Sequence, residues 1–204
     1  MPRFQDLLNR YPLISDQVDK TEVAVILREL EQVLASNVYG GVVEMGCYAG
    51  TTSLFIRRLL NLLDTNREFH VYDSFAGLPP KTAADNSPAG EQYQAGELMA
   101  HRDQLVNNFK KAGLAVPIIH KGWFKDLNAQ DLPEAVAFAF LDGDFYDSIK
   151  TSLKLVGPKL SVGSIVIVDD YQSEALPGVA KAVDEYLTQH PMRLRVETSL
   201  AILG

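Results

Sequence analysis

The sequence has few of the residue types that make disulfides or bind polyanions. Cys47 is the single cysteine among 204 residues, which excludes an internal disulfide framework and a cysteine metal cage. The 19 Lys and Arg are outnumbered by 26 Asp and Glu, for a formal charge of −7. An acidic chain without a Lys/Arg cluster argues against nucleic acid or an anionic membrane as a partner.

Long apolar runs are also missing. Residues 1–20 mix charges with short apolar pairs, a pattern that predicts neither a signal peptide nor a membrane helix. With the lone cysteine, this favours a cytoplasmic protein. The 47% hydrophobic and 22% charged residues are typical of a globular chain, and the length predicts one domain over residues 1–204.

The predicted elements alternate as in an α/β fold. Residues 20–36 carry apolar side chains at helical spacing, within an N-terminal helical region over 1–39. About seven short apolar runs then follow, most of them separated by helical patterns, and the last two have no helix between them. This predicts a mostly parallel sheet with helices on both faces and an antiparallel C-terminal hairpin. The polar stretch 78–96 is too long for a plain connection, and we interpret it as a lid loop.

Candidate ligand-binding residues follow the predicted strands, where open parallel sheets bind their ligands. The first strand leads into the glycine turn Gly46–Gly50, and Glu44 before it would repel a pyrophosphate but attract an amino group. Asp73 ends the second strand and can accept hydrogen bonds from both hydroxyls of a ribose. An adenosine with an amino acid tail satisfies both positions. Trp123 and Phe124 follow the third strand, where they either stack on an adenine or join the core.

Carboxylates follow the next two strands. Asp142 and Asp144 end one, and Asp169 and Asp170 end the other. Since like charges so close repel, the pattern favours a hard divalent cation such as Mg²⁺, Mn²⁺ or Ca²⁺, and we assign Asp142, Asp169 and Asp170 to it. Asp144, two residues beyond Asp142, is the candidate general base.

Three other functions compete on the residues alone. Asp142-Gly-Asp144 has the D-x-D form of metal-dependent glycosyltransferases. Asp73 would also suit an NAD-linked oxidoreductase, although the G-x-G-x-x-G fingerprint is missing. A non-catalytic binding protein could keep the same pocket.

These motifs resemble those of the macrocin O-methyltransferase family, S-adenosylmethionine-dependent enzymes that methylate sugar hydroxyls of natural products. The resemblance runs from about Gly40 to Leu187 through EMGCYAGTT, VYDSFAGLP, LDGDFYDS and SVGSIVIVDDY. The motifs are also similar to those of catechol-type O-methyltransferases. The resemblance implies a Rossmann-like methyltransferase fold, S-adenosylmethionine and Mg²⁺.

The resemblance also implies residue roles. It places the methionine end of S-adenosylmethionine at Glu44, Gly46, Tyr48, Gly50 and Thr52, the ribose at Asp73, and the adenine near Ser74, Trp123 and Phe124. Asp142 counts as a cofactor contact and, with Asp169 and Asp170, as a metal ligand, and Asp144 is the base. The expected acceptor is a small molecule with adjacent hydroxyls, a sugar or alternatively a catechol-like phenol. The oligomeric state stays open, a homodimer being the common arrangement.

Overall fold

A computed structural model describes residues 3–63 and 66–204. In this part of the chain seven strands form one sheet: β1 (Gly41–Met45), β2 (Phe69–Asp73), β3 (Ile118–Lys121), β4 (Val136–Leu141), β5 (Leu160–Val168), β6 (Leu194–Glu197) and β7 (Leu200–Leu203). Their spatial order is β3-β2-β1-β4-β5-β7-β6. The first five strands in sequence pair in parallel, and β7 pairs antiparallel with both β5 and β6. The predicted sheet is confirmed.

The helices of the described residues are α1 (Arg3–Arg10), α2 (Lys20–Ala35), α3 (Thr51–Leu62), α4 (Arg102–Lys111), α5 (Tyr146–Val156) and α6 (Pro177–Gln189). The first four pack against one face of the sheet and form one hydrophobic core. The last two pack against the other face and form a second core. Helices therefore cover both faces, as predicted, and burial of the two cores stabilises the sheet between them.

Local signals explain where α2 begins. The Asp19 carboxylate accepts hydrogen bonds from the backbone N–H groups of Thr21 and Glu22, and the Glu22 carboxylate accepts one from the Asp19 N–H. This capping box satisfies N–H groups that a helix start otherwise leaves unpaired. The predicted N-terminal helical region thus holds α1 and α2, with residues 1 and 2 outside the described part.

The sheet register brings the ends of the central strands to one level. Met45 of β1 pairs with Tyr72 of β2 and with Leu141 of β4. Leu141 in turn pairs with Val168 of β5. From β1 the chain adds β2 and β3 on one side of the sheet, and it then adds β4 and β5 on the other side. This change of side between β1 and β4 opens a crevice at their carboxyl ends. The polar residues that follow these four strands therefore meet there.

The C-terminal hairpin, β6 and β7, forms the edge of the sheet opposite β3. All four residues of β7 are buried between β5 and β6. Arg28 of α2 forms an ion pair with Glu197 of β6 at 2.7 Å, and Arg195 forms one with the buried Glu29 at 2.8 Å. These paired charges tie the hairpin to α2.

The stretch 78–96 contains two short 3-10 turns, Ala83–Asp85 and Pro88–Gly90. It is irregular, as the sequence predicted, while its function as a lid stays a prediction. Among the residues that the structure describes, no helix combines the length and the apolar character that a membrane crossing requires.

Candidate active site

A pocket opens at the carboxyl ends of β1, β2, β3, β4 and β5. Nine of the residues that the sequence singled out line it: Gly46, Tyr48, Asp73, Ser74, Trp123, Phe124, Asp142, Asp144 and Asp170. The other four predicted site residues do not line it: Glu44, Gly50, Thr52 and Asp169. The sequence thus located the pocket but not the position of every side chain around it.

The turn between β1 and α3 lies directly against the loop that follows β4. Gly46 has a φ of +90°, and a Cβ there would come within 1.7 Å of the Asp142 carbonyl oxygen. The Asp142 N–H donates to the Met45 carbonyl at 2.8 Å. Because only glycine permits this approach and this φ, the turn and the acidic loop form one continuous backbone surface.

Asp73 organises that turn. Its Oδ2 accepts hydrogen bonds from the N–H groups of Cys47 and Tyr48 at 2.9 and 3.2 Å, and its Oδ1 accepts one from Phe75 at 2.7 Å. Three backbone donors use most of the roughly four acceptor directions of a carboxylate. The Asp73 side chain therefore shapes the turn, and its contact with a ribose stays a prediction.

Glu44 lies behind the turn. Since side chains alternate along a strand, Glu44 shares the face of Val42, whose side chain joins the core on the α3 side. Its carboxyl group is buried and accepts a hydrogen bond from the Ser53 hydroxyl at 2.5 Å. Burial raises the pKa of Glu44 from 4.5 to about 8, and the charge of Asp73 adds to this. In this geometry the Glu44 side chain does not reach the pocket to contact an amino group there.

Gly50 and Thr52 are buried at the start of α3. Gly50 precedes the helix with a φ of +90°, and a Cβ there would overlap Leu105 of α4 at 2.3 Å. Both residues therefore lie beneath the pocket, and the closeness of α4 explains why a glycine stands at position 50.

Trp123 and Phe124 are both half-buried and line the pocket after β3. Phe124 also packs against the core on the α5 side, whereas Trp123 is absent from both described cores. The Gly122 N–H donates to the Asp73 carbonyl at 3.0 Å and fixes this segment next to β2. Trp123 is therefore the aromatic side chain best placed to stack on a ligand, while Phe124 combines core and pocket contacts.

The acidic residues form a compact group. One carboxylate oxygen each of Asp142, Asp144 and Asp170 lies within 4.8 Å of the others. Asp144 and Asp170 adopt left-handed backbone conformations, with φ values of 60° and 57°. Such conformations are uncommon for residues other than glycine and cluster at functional sites.

Asp169 is not part of this group, contrary to the predicted set of ligands. Its Oδ1 accepts hydrogen bonds from the Asp170 N–H at 2.8 Å and from the Ser199 hydroxyl at 3.3 Å. The left-handed turn at Asp170 directs successive side chains differently, so that Asp170 lines the pocket and Asp169 does not. In this arrangement Asp144 takes the place that the sequence gave to Asp169, and a metal contact from Asp169 stays a prediction.

All four carboxyl groups have raised pKa values. Burial, followed by repulsion from neighbouring acids, raises the pKa of Asp144 and of Asp170 to about 7 and that of Asp169 to about 8. The pKa of Asp142 is raised well above its usual range for the same reasons. Carboxylates that repel each other in a buried pocket favour a cation between them.

Several residues that line the pocket are not among those that the sequence singled out. Tyr93 and Leu98 line the pocket from the chain around the 78–96 stretch, and Gln17 lines it from the loop before α2. The burial of Tyr93 and the nearby charges of Asp170 and Asp144 raise its pKa. No local pattern marks these residues, because their positions depend on how distant loops pack.

The strand order, the pocket and its glycine turn define the class of Rossmann-like methyltransferases. The solved structure of the O-methyltransferase NovP shares this architecture, with a TM-score of 0.79 over 90% of this chain and 79% of that chain, at 28% identity. The family model described as macrocin-O-methyltransferase (TylF) matches residues 16–198. The chain belongs to this family, and the resemblance in its motifs is confirmed.

Two curated relatives are similar to most of the chain. The 8-demethyl-8-(2,3-dimethoxy-alpha-L-rhamnosyl)-tetracenomycin-C 4'-O-methyltransferase of Streptomyces olivaceus is 35% identical over 77% of this chain. The demethyldecarbamoylnovobiocin O-methyltransferase of Streptomyces niveus is 33% identical over 77% of it. The matched part spans 61% and 62% of the lengths of these relatives.

Proposed function

We propose that this protein is an S-adenosylmethionine-dependent O-methyltransferase that requires a divalent cation and methylates a sugar hydroxyl of a glycosylated small molecule. One observation carries the proposal: the glycine turn after β1 and the acidic group after β4 and β5 meet in a single pocket, at the contact between Gly46 and Asp142. A donor held by the turn would thus present its reactive group beside the carboxylates. Membership of the family and the names of the two relatives support the sugar acceptor.

The donor is proposed to lie along the turn and β2. Tyr48 and Gly46 line the pocket where the methionine end would bind, with Gly50 and Thr52 beneath them. Asp73 and Ser74 would face the ribose and adenine. Trp123 would stack on the adenine, because its aromatic face is not consumed by core packing. Glu44 would act from behind the turn, through its negative charge when ionised.

The acidic group fits a divalent cation, preferably Mg²⁺. Its carboxylate oxygens are the ligands that hard cations prefer, and those of Asp142, Asp144 and Asp170 already lie within 4.8 Å of one another. We propose that Asp142 and Asp170 hold the cation and that Asp169 joins them or braces Asp170. A cation there would orient two neighbouring acceptor oxygens and lower the pKa of the reacting hydroxyl.

Asp144 is the proposed general base. It lines the pocket next to Asp142, and in the metal-free protein burial and the neighbouring acids raise its pKa to about 7, above that of an ordinary aspartate. Asp144 would take the proton of the acceptor hydroxyl. S-adenosylmethionine, when bound, would supply the methyl group to that oxygen and would leave as a neutral thioether.

The composition of the pocket wall disfavours the glycosyltransferase alternative. Within residues 3–63 and 66–204, no Lys or Arg side chain lines the pocket. A nucleotide diphosphate would then face carboxylates without a cationic side chain to pair with it. The same acidic wall and the formal charge of −7 support a small neutral acceptor over nucleic acid.

Calorimetry on metal-free protein tests the donor. S-adenosylmethionine, NAD and a UDP-sugar are titrated separately, first without and then with Mg²⁺. We expect S-adenosylmethionine to bind in both conditions, and Mg²⁺ to be needed for methyl transfer to added glycosides. Binding of the UDP-sugar alone, and only with Mg²⁺, would overturn the proposal.

A pair of isosteric variants tests the roles of the acids. Asp144→Asn should retain Mn²⁺ binding but lose roughly a hundredfold or more in turnover, as is typical for removal of a general base. Asp147→Asn is the matched control, because Asp147 lies three residues further along the same loop and helix start but is exposed and does not line the pocket. If Asp144→Asn loses Mn²⁺ while Asp147→Asn keeps it, Asp144 is a metal ligand and the proposed base is wrong.

A further inference from the structure

The 78–96 stretch contains a carboxyl group that is sealed from solvent. Asp85 ends the 3-10 turn Ala83–Asp85 and is 0% exposed. Its Oδ2 accepts hydrogen bonds from the N–H and the hydroxyl of Thr82 at 2.8 and 2.7 Å. A fully buried carboxyl group costs free energy unless it is satisfied, so its other contacts must compensate for the burial.

The second oxygen of Asp85 caps a helix that belongs to the acidic region. Its Oδ1 accepts a hydrogen bond from the N–H of Tyr146, the first residue of α5, at 2.7 Å. The residue before the helix, Phe145, has an apolar side chain, so Asp85 supplies the cap from 61 residues away. A carboxylate at a helix N-terminus is stabilised by the helix dipole and stabilises the helix in return.

The same carboxyl group also lies against the start of α6. A Cβ at Gly178 would come within 1.9 Å of the Asp85 Oδ1. Nearby, the Ser87 hydroxyl donates to the Glu174 carbonyl at 2.6 Å, and a Cβ at Gly90 would come within 2.1 Å of the Ala175 carbonyl oxygen. The 78–96 stretch is therefore docked on the chain before α5 and on the chain before α6.

These two docking points flank the acidic group. Tyr146 follows Asp144 by two residues, and the residues before α6 continue directly from Asp170. Both aspartates hold left-handed backbone conformations, which persist only when the surrounding structure fixes them. A residue that contacts both the start of α5 and the start of α6 is well placed to fix the distance between the Asp144 and Asp170 carboxylates.

We propose that Asp85 is a positioning residue, which joins the 78–96 stretch to the starts of α5 and α6 and thereby sets the spacing of the Asp144 and Asp170 carboxylates. Residues 82–90 are then fixed to the starts of these helices, between the residues of the stretch that line the pocket, Leu78, Pro79 and Tyr93. The stretch is therefore not a lid that swings as one piece. We call the contacts of Asp85 with Tyr146 and Gly178 the anchor. The anchor follows from contacts alone, while its consequence for the cation and for turnover rests on the proposed function.

The test uses the full chain and two measurements that do not depend on activity. Asp85→Asn replaces one acceptor oxygen with a donor, and Gly178→Ala pushes a methyl group against the same carboxyl group without a change of charge. In both variants we expect amide hydrogen exchange to accelerate about tenfold or more in residues 79–96 and also in 144–150. We expect the affinity for Mn²⁺, measured by calorimetry, to fall about 10- to 100-fold.

Asp147→Asn is the matched control. Asp147 lies in the same first turn of α5 but is exposed, so its loss changes the charge at the helix start without touching the anchor. Its exchange and Mn²⁺ affinity should stay within about twofold of the parent protein. In active protein, Asp85→Asn should lower kcat and leave the KM for S-adenosylmethionine unchanged.

Several outcomes would overturn the proposal. Faster exchange confined to 79–96, with 144–150 and Mn²⁺ affinity unchanged, would mean that the stretch does not support the acidic group. If Asp85→Asn fails to fold, Gly178→Ala and the milder Ser87→Ala carry the same expectations. If the parent protein binds no Mn²⁺, the proposed cation is wrong, while joint exchange of the two segments still decides whether the anchor exists.

Discussion

The Glu44→Gln variant tests how the protein handles the buried acid beneath the pocket. Glutamine has nearly the same shape and can still accept the hydrogen bond that the Ser53 hydroxyl gives to Glu44. It has no charge to lose or gain. Any difference between the two proteins that varies with pH in the ligand-free state therefore reports on the ionisation of Glu44.

The sign and size of the effect follow from the pKa of Glu44, which burial raises from 4.5 to about 8. Between these values the folded protein keeps a proton that the unfolded chain has released, so a rise in pH lowers the free energy of unfolding. At about 1.4 kcal/mol for each pH unit, the loss reaches about 3 kcal/mol by pH 7. It levels off near pH 8, where the folded protein also ionises.

Urea unfolding of both proteins at roughly pH 5, 6, 7 and 8 measures this difference. The stability of Glu44→Gln relative to the parent should rise steadily from the lowest pH and reach a plateau near the highest. A difference that stays constant over the whole range would contradict the raised pKa of Glu44, because it would mean that Glu44 ionises as easily in the folded chain as in the unfolded one.

Two further substitutions probe the pocket, and a third serves as a control outside it. In thermal unfolding, Gly46→Ala should destabilise the fold by about 3 kcal/mol or more, since its Cβ would meet the Asp142 carbonyl oxygen at 1.7 Å. Gly113 also has a positive φ, +66°, but has open space around it. Gly113→Ala should therefore destabilise the fold by only about 1 kcal/mol in the same assay. Trp123→Ala should weaken S-adenosylmethionine binding about tenfold in calorimetry with little change in Tm. Trp123 is the single tryptophan, so its fluorescence in the parent protein should change on binding, and an unchanged signal at saturation would place the adenine elsewhere.

Much of the fold could be predicted because the strands carry clear local signals. The segment FHVYD, residues 69–73, predicts a strand and coincides with β2 as observed. The absence of a helical pattern between the last two runs likewise predicted the antiparallel pairing of β6 and β7. Both features depend on periodicity and on connection length, which a single sequence displays directly.

The site could be located but not assembled from the sequence. Strand ends correctly gave nine of the residues that line the pocket. The exchange of Asp169 for Asp144 in the carboxylate group, however, depends on two left-handed residues that no sequence pattern announced. Glu44 is different, because strand alternation with Val42 already implies that it faces α3. The contact between Asp85 and Tyr146 joins residues 61 positions apart, and such a contact exists only after the sheet and its helices have packed.

The position of β7 between β5 and β6 has a consequence for how the chain is made. A ribosome delivers β5 long before β7, so the growing chain has an unpaired β5 edge until residues 200–203 emerge. An exposed apolar strand edge is a site for association with other chains. The nascent protein is therefore most vulnerable to aggregation late in its synthesis, and substitutions in β7 should reduce soluble yield more strongly than they reduce the stability of molecules that have already folded.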